Sequence, residues 1–179
     1  KKTIVNTAVS NFTAIAKGKN NTLWLANNNG EIYSFKKDQL KKSKLSNSLD
    51  KVAIKSMLLD KENTLWVATN GKGLFRFNLE NNSKSHFIKQ NTEDKNTINN
   101  NFVLSLFLDN YNNIWIGTDG GGLNLFDKKT GLFYSFQQSF NNSSSISDNS
   151  ILSIHHGLDN TILISTVHGG ICIFKNDLD

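Results

Sequence analysis

The chain has 179 residues, 37% of them hydrophobic, which is enough for one domain with a sizeable core. No run approaches the ~20 uninterrupted apolar residues of a membrane-crossing helix, and KKTIVNT at the start leads into alternating sequence rather than a secretory signal. A single cysteine, Cys172, excludes an internal disulfide and a cysteine metal cluster, and with no proline at all the turns fall to Asn and Gly.

From the N-terminus the chain passes through four copies of one pattern. NNTLWLANNNGEIYSF, ENTLWVATNGKGLFRF, NNIWIGTDGGGLNLF and DNTILISTVHGGICIF superpose without gaps on Trp24, Trp66, Trp115 and Leu163, at spacings of 42, 49 and 48 residues. That period is too long for ankyrin or tetratricopeptide units and suits a four-stranded blade. The pattern predicts an all-β chain: a β-propeller of four tandem four-stranded blades, about sixteen short strands, with blades near 7–47, 48–95, 96–144 and 145–179.

In the first repeat, Ala14 and Ile15 mark the inner strand, and a weak, Lys-studded outer strand is expected near Leu40–Leu45, as befits an exposed edge. The second repeat places Ser56 and Met57 on its inner strand and His86–Ile88 outermost. The third gives the clearest plan, with strands over Phe102–Asp109, Asn113–Thr118, Gly122–Asp127 and Leu132–Gln137. The fourth stops after its third strand at Phe174, and residues 1–6, with Thr3–Val5 as a strand, are expected to supply its outer strand and close the ring.

Each aligned column has a physical reason. Asn21, Asn63, Asn112 and Asn160 stand three residues before the anchor, where a hairpin needs a left-handed residue. Ala26, Ala68, Gly117 and Ser165, two residues after it, are small where blades pack closest. Phe35, Phe77, Phe126 and Phe174 recur eleven residues after the anchor, a buried layer between blades. The tryptophans Trp24, Trp66 and Trp115 could stack on sugars, but aromatics repeated in register are expected to be core.

Other residues carry less. His155 and His156 are adjacent, so on a strand they point to opposite faces and cannot grip one metal ion. Asp109, Asn110, Asn112 and Asn113 lack the closing Glu and flanking helices of a calcium loop, so Asp60 and Asp109 read as turn caps. The Gly120–Gly122 triplet precedes a strand, not the helix a phosphate loop requires. No metal or cofactor is expected. The loops between second and third strands, Asn27–Gly30, Asn70–Lys72, Asp119–Gly121 and Val167–Gly169, should gather on one face together with the interblade connectors, with Asn28, Lys72, Asp119 and His168 turned toward a ligand.

The net charge of +5 divides into +9 over residues 1–95 and −4 over residues 96–179. A basic half could attract nucleic acid or acidic glycans, but the lone arginine, Arg76, and the dispersed lysines argue for solvation, with no nucleic-acid partner. The chain starts at Lys1 and its one Met is Met57, so it is expected to be a processed or excised piece of a longer protein.

FLDNYNNIWIGTDGGGLNLF and LLDKENTLWVATNGKGLFRF, with the connectors NNSSSISDNSILSI and NTINNNFVLSL, resemble the two-component regulator propeller repeat. The likeness spans the whole chain, with departures at Asn27 and Glu31, where Thr and Gly are the pattern, and at Leu163, where it has Trp. The resemblance implies the periplasmic or extracytoplasmic sensor of a bacterial histidine kinase, often hybrid, many of which detect oligosaccharides. It also implies more blades than four, so that this chain is a segment of a larger propeller. The partners expected are an oligosaccharide or other small ligand and neighbouring propeller domains or a second chain, with the membrane reached only through other parts of the parent. A protein-interaction scaffold is the rival reading. A carbohydrate-active lyase or hydrolase is less favoured, because the acids are scattered rather than convergent.

Overall fold

The computed structural model describes residues 9, 11–49, 51–87 and 96–175. Period-2 alternation between Asn/Gly turns produces four antiparallel sheets, each a meander in chain order. Blade 1 comprises β1 (Phe12–Lys17), β2 (Leu23–Asn27), β3 (Ile32–Lys36) and β4 (Gln39–Lys42). Blade 2 comprises β5 (Ile54–Leu59), β6 (Thr64–Thr69), β7 (Leu74–Asn78) and β8 (Lys84–Phe87). Blade 3 comprises β9 (Val103–Leu108), β10 (Ile114–Thr118), β11 (Leu123–Asp127) and β12 (Leu132–Phe136), and blade 4 has β13 (Ile151–His156), β14 (Ile162–Thr166) and β15 (Ile171–Phe174). Among the described residues blade 4 is thus three-stranded. The expected closing strand, Thr3–Val5, and Ile88 of the second outer strand lie outside the described residues.

The Asn column makes the first hairpin of every blade, with φ of 57°, 62°, 69° and 57° at Asn21, Asn63, Asn112 and Asn160. The outer strand of blade 1 is shorter than expected. It ends at Lys42, and Leu45 belongs instead to a short 3-10 helix, Lys44–Ser48, whose start is capped by the Ser43 hydroxyl accepting from the Leu45 N–H.

Inner strands lie side by side in sequence order, β1 on β5, β5 on β9 and β9 on β13, with no comparable packing of β13 on β1 among the described residues. Three apolar layers fill the junctions. Trp66 of blade 2 lies in one layer with Ile114, Ile116, Phe126 and Phe133 of blade 3, while Trp115 lies in the next with Ile154, Ile162 and Ile164 of blade 4. The anchor residue faces the following blade and the recurring Phe, paired across the sheet one position away, faces the preceding one.

That polarity explains where burial departs from the repeat. Trp66, Trp115, Phe77 and Phe126 are buried, whereas Trp24, Phe35 and Phe174, expected as core, are only half-buried. Phe35 faces away from blade 2, with no described blade before it. Phe174 sits on the last described strand of blade 4, covered by Trp115 and Phe136 from one side. Trp24 has Ser43 beside Ile32, where Trp66 and Trp115 have the rings of Phe87 and Phe136.

Candidate functional site: the loop face

A meander puts its second-to-third-strand loop and its exit connector at one end, so the β2–β3, β6–β7, β10–β11 and β14–β15 loops share a face with the connectors. Each loop is clamped internally. The last residue of the second strand in blades 2, 3 and 4, Thr69, Thr118 or Thr166, donates its hydroxyl to the carbonyl of Gly73, Gly122 or Gly170, at 2.6, 2.7 and 3.1 Å. Blade 1 departs from the pattern as a matched pair. Asn27 Oδ1 accepts from the Asn29 and Glu31 N–H groups, and its Nδ2 donates to Glu31 Oε2 at 2.7 Å. Hydrogen bonds from Lys42, Asn27 and Tyr33 hold the Glu31 carboxyl down at about 2.

The loops are also fastened to the following blade. Gly71 and Gly73 N–H groups donate to the Asn101 carbonyl, and those of Gly120 and Gly122 donate to Asn149. Lys51 N–H donates to the Asn29 carbonyl at the first junction. Within blade 3, side chains tie the loop to the connector that leads into the same blade: Asn100 Nδ2 donates to the Asp119 carbonyl at 2.8 Å, Asn99 Nδ2 to Gly121, and Asn99 and Asn124 pair through their amides.

The four expected ligand-facing residues all lie on this face and are exposed. Asn28 lies in the blade 1 turn that Asn27 caps. Lys72 projects from its loop while its carbonyl meets His86 Nε2 at 2.5 Å. Asp119 and His168 converge on one connector: Asp119 Oδ1 accepts from the Ser150 hydroxyl at 2.7 Å, and His168 N–H donates to Asp148 Oδ2 at 2.8 Å. Ser150 and His168 N–H bonds keep the Asp148 carboxyl below the ordinary range. Asn28 and Lys72 sit on separate loops, so the four form a row across blades rather than one pocket. The reading from sequence placed the connectors on this face but did not single out Asn99, Asn100, Asp148 and Ser150, which complete the surface; their Asn/Ser/Asp richness alone could have signalled them.

Two stretches, residues 48–71 and 97–120, match the family pattern of the two component regulator propeller. The chain's second and third repeats are two-component regulator propeller repeats. Each matched stretch runs from a connector through an inner strand, the Asp turn and the Trp strand into the loop, so the repeat contains both halves of the inter-blade fastening.

The propeller repeats also superpose on solved structures. An extracellular domain from B. thetaiotaomicron, assigned to hybrid two component system BT3049, is 20% identical with a TM-score of 0.70, over 93% of this chain and 22% of that one. An extracellular domain of the one component system BT4673 from the same organism is 18% identical with a TM-score of 0.56, over 98% of this chain and 28% of that one. Virginiamycin B lyase from Staphylococcus aureus is 15% identical with a TM-score of 0.61, over 94% of this chain and 56% of that one. At these identities the likeness is one of fold. No curated protein matches the sequence.

Proposed function

We propose that this propeller is a ligand-sensing segment of an extracytoplasmic two-component sensor, binding a polar ligand of the oligosaccharide class on its loop face and performing no chemistry itself. The observation that carries the reading is the row of preformed loops, each clamped by its own Thr or Asn, the first three fastened to the following connector and the fourth to its own. Asn28, Lys72 and His168 project from loops that need no ordering on binding, and amide and ammonium donors suit sugar hydroxyls. The carboxylates of this face are committed to the fold, Asp119 to Ser150 and Asp148 to Ser150 and His168, which argues against an acid–base pair. Because a loop of one blade is bonded to the next, a ligand bridging two loops would bias blade packing and so be felt by whatever adjoins the propeller.

An array of defined oligosaccharides followed by calorimetry tests this. Lys72→Ala with His168→Ala, both exposed, should weaken the captured glycan by about tenfold or more. The melting temperature should stay unchanged. Full affinity in that double variant would place binding elsewhere.

A further inference from the structure

The rim opposite the loops carries the first hairpin turn of each blade and the third of blades 1 to 3, and one junction there shows how the next is left incomplete. Between blades 2 and 3, Lys128 follows β11 and reaches back to blade 2, placing its ammonium 2.8 Å from Asp60 Oδ2 and against Glu62. Asn112 Nδ2 also donates to Glu62, at 2.7 Å. The rest of the Asp60 shell is local: Thr64 N–H on Oδ1 at 2.9 Å and the Trp66 indole on Oδ2 at 2.9 Å.

Between blades 3 and 4 a similar shell surrounds Asp109, with Asn113 N–H on Oδ1 at 2.8 Å, the Trp115 indole on Oδ2 at 2.9 Å and, as a longer contact, Asn113 Nδ2 on Oδ2 at 3.3 Å where blade 2 has the Lys128 ammonium. Asp109 is buried. No lysine or arginine pairs with it among the described residues. Tyr111, 55% exposed, stands at the position of Glu62. By repeat register the counterpart of Lys128 is Asn176, a residue outside the described set whose side chain has no ammonium. In front of Asp109 lies a cleft of about 380 Å³, walled by Tyr111, Trp115, Leu125, Ile162 and Phe174. The other titratable groups facing it are Asp127, Lys129 and His156. Asp127 is taken up by the Lys129 N–H and Thr130 hydroxyl of its own turn, which hold its carboxyl below the ordinary range.

We propose that the blade 3–blade 4 cleft binds an aliphatic primary amine, its ammonium on Asp109 Oδ2 and its methylene chain against Leu125, Ile162 and Phe174. The ligand chemistry is the one the protein itself places one junction earlier, where the butylammonium of Lys128 meets the equivalent carboxylate. A free diamine and a lysine side chain of a peptide share that chemistry. The site lies at the opposite end from the loop face and stands or falls independently of glycan binding there.

The test follows the indole N–H signals of isotope-labelled protein during titration with n-butylamine, with 1-butanol as the uncharged control. A saturable shift of the Trp115 indole with butylamine alone is expected, with no shift at Trp66, whose site Lys128 fills. Parallel titrations with 1,5-diaminopentane and Nα-acetyl-lysine amide separate a free amine from a peptide lysine by which binds tighter. Asp109→Asn should weaken binding by at least about tenfold. Should that variant fail to fold, Tyr111→Lys changes an exposed residue, brings an ammonium of its own and should abolish the response. Lys128→Ala should create a second saturable response, at the Trp66 indole. Equal shifts with butanol and butylamine, no saturable shift at Trp115, or an unaltered response in Tyr111→Lys would overturn the proposal.

Discussion

Asp60 accepts four hydrogen bonds, from the Glu62 and Thr64 N–H groups, the Trp66 indole and the Lys128 ammonium. Burial by itself would raise its carboxyl, but the Lys128 ammonium and the indole outweigh burial and hold it below the ordinary range, and the neighbouring Glu62 is lowered in the same way. A folded-state value below the unfolded one contributes stability that is present above the unfolded value, near 4, and is lost as pH falls through the folded one. Urea melts of the native protein are therefore expected to hold steady from neutral pH to about 5 and to weaken steeply below it. Asp60→Asn should start less stable and lose less on acidification; an unchanged acid slope in that variant would remove Asp60 from the account. The turn-capping role of Asp60 and Asp109 could be read from their recurrence, but their bond to an indole six residues on could not, because it crosses a hairpin. A trace of it is nonetheless in the sequence: Gly18 and Gly157 replace the Asp in blades 1 and 4, the former beside a half-buried Trp24 and the latter beside Leu163 in place of Trp.

At the scale of the blade, the small residue two after the anchor sets how closely neighbours approach. Gly117 has Ser105 on one side and Ile151 of the next blade on the other, and a Cβ there would lie 2.3 Å from the Ser105 hydroxyl and 2.7 Å from Ile151 Cγ2. Ala26 and Ala68 fill the same place in blades 1 and 2 and are fully buried. Gly117→Ala should cost about 1–3 kcal/mol in a denaturant melt, an overpacking penalty, unless Ser105 and Ile151 can both retreat. Strand positions in blade 3 were legible to within one residue at each end, since alternation and the Asn/Gly turns are local signals. The edge of blade 1 was not, because Ser43 can either extend a strand or cap a helix and the backbone settles it by capping. Nor was the half-burial of Phe35 and Phe174, which depends on what lies beyond a blade rather than on the blade's own residues. The loop face was legible as four loops beside their connectors; the individual connector residues that bond the loops were not, since those bonds join residues far apart in the chain.

For the whole molecule, the terminal blades present apolar surface to water. Ile15 on the outward face of blade 1 is 61% exposed, and Ile171 and Ile173 on that of blade 4 are 70% and 59% exposed. Those two faces carry the same repeat positions that pack together at the interior junctions, and the chain's halves differ in charge, basic before residue 96 and acidic after it. The isolated 179-residue chain is expected to associate head to tail, exceeding monomer mass in light scattering at micromolar concentration, and Ile171→Lys with Ile173→Glu should restore the monomer. A monodisperse monomer before substitution would contradict this. The fastening of the loops has a direction: at the first three loops the partner outside the blade belongs to the blade that follows, as with Gly71 and Asn101 or Gly120 and Asn149. Translation runs from the same end, so each of these loops leaves the ribosome ahead of the residue that will pin it. The growing chain therefore always trails one unpinned loop at its newest blade, and elongation secures the binding surface one blade in arrears.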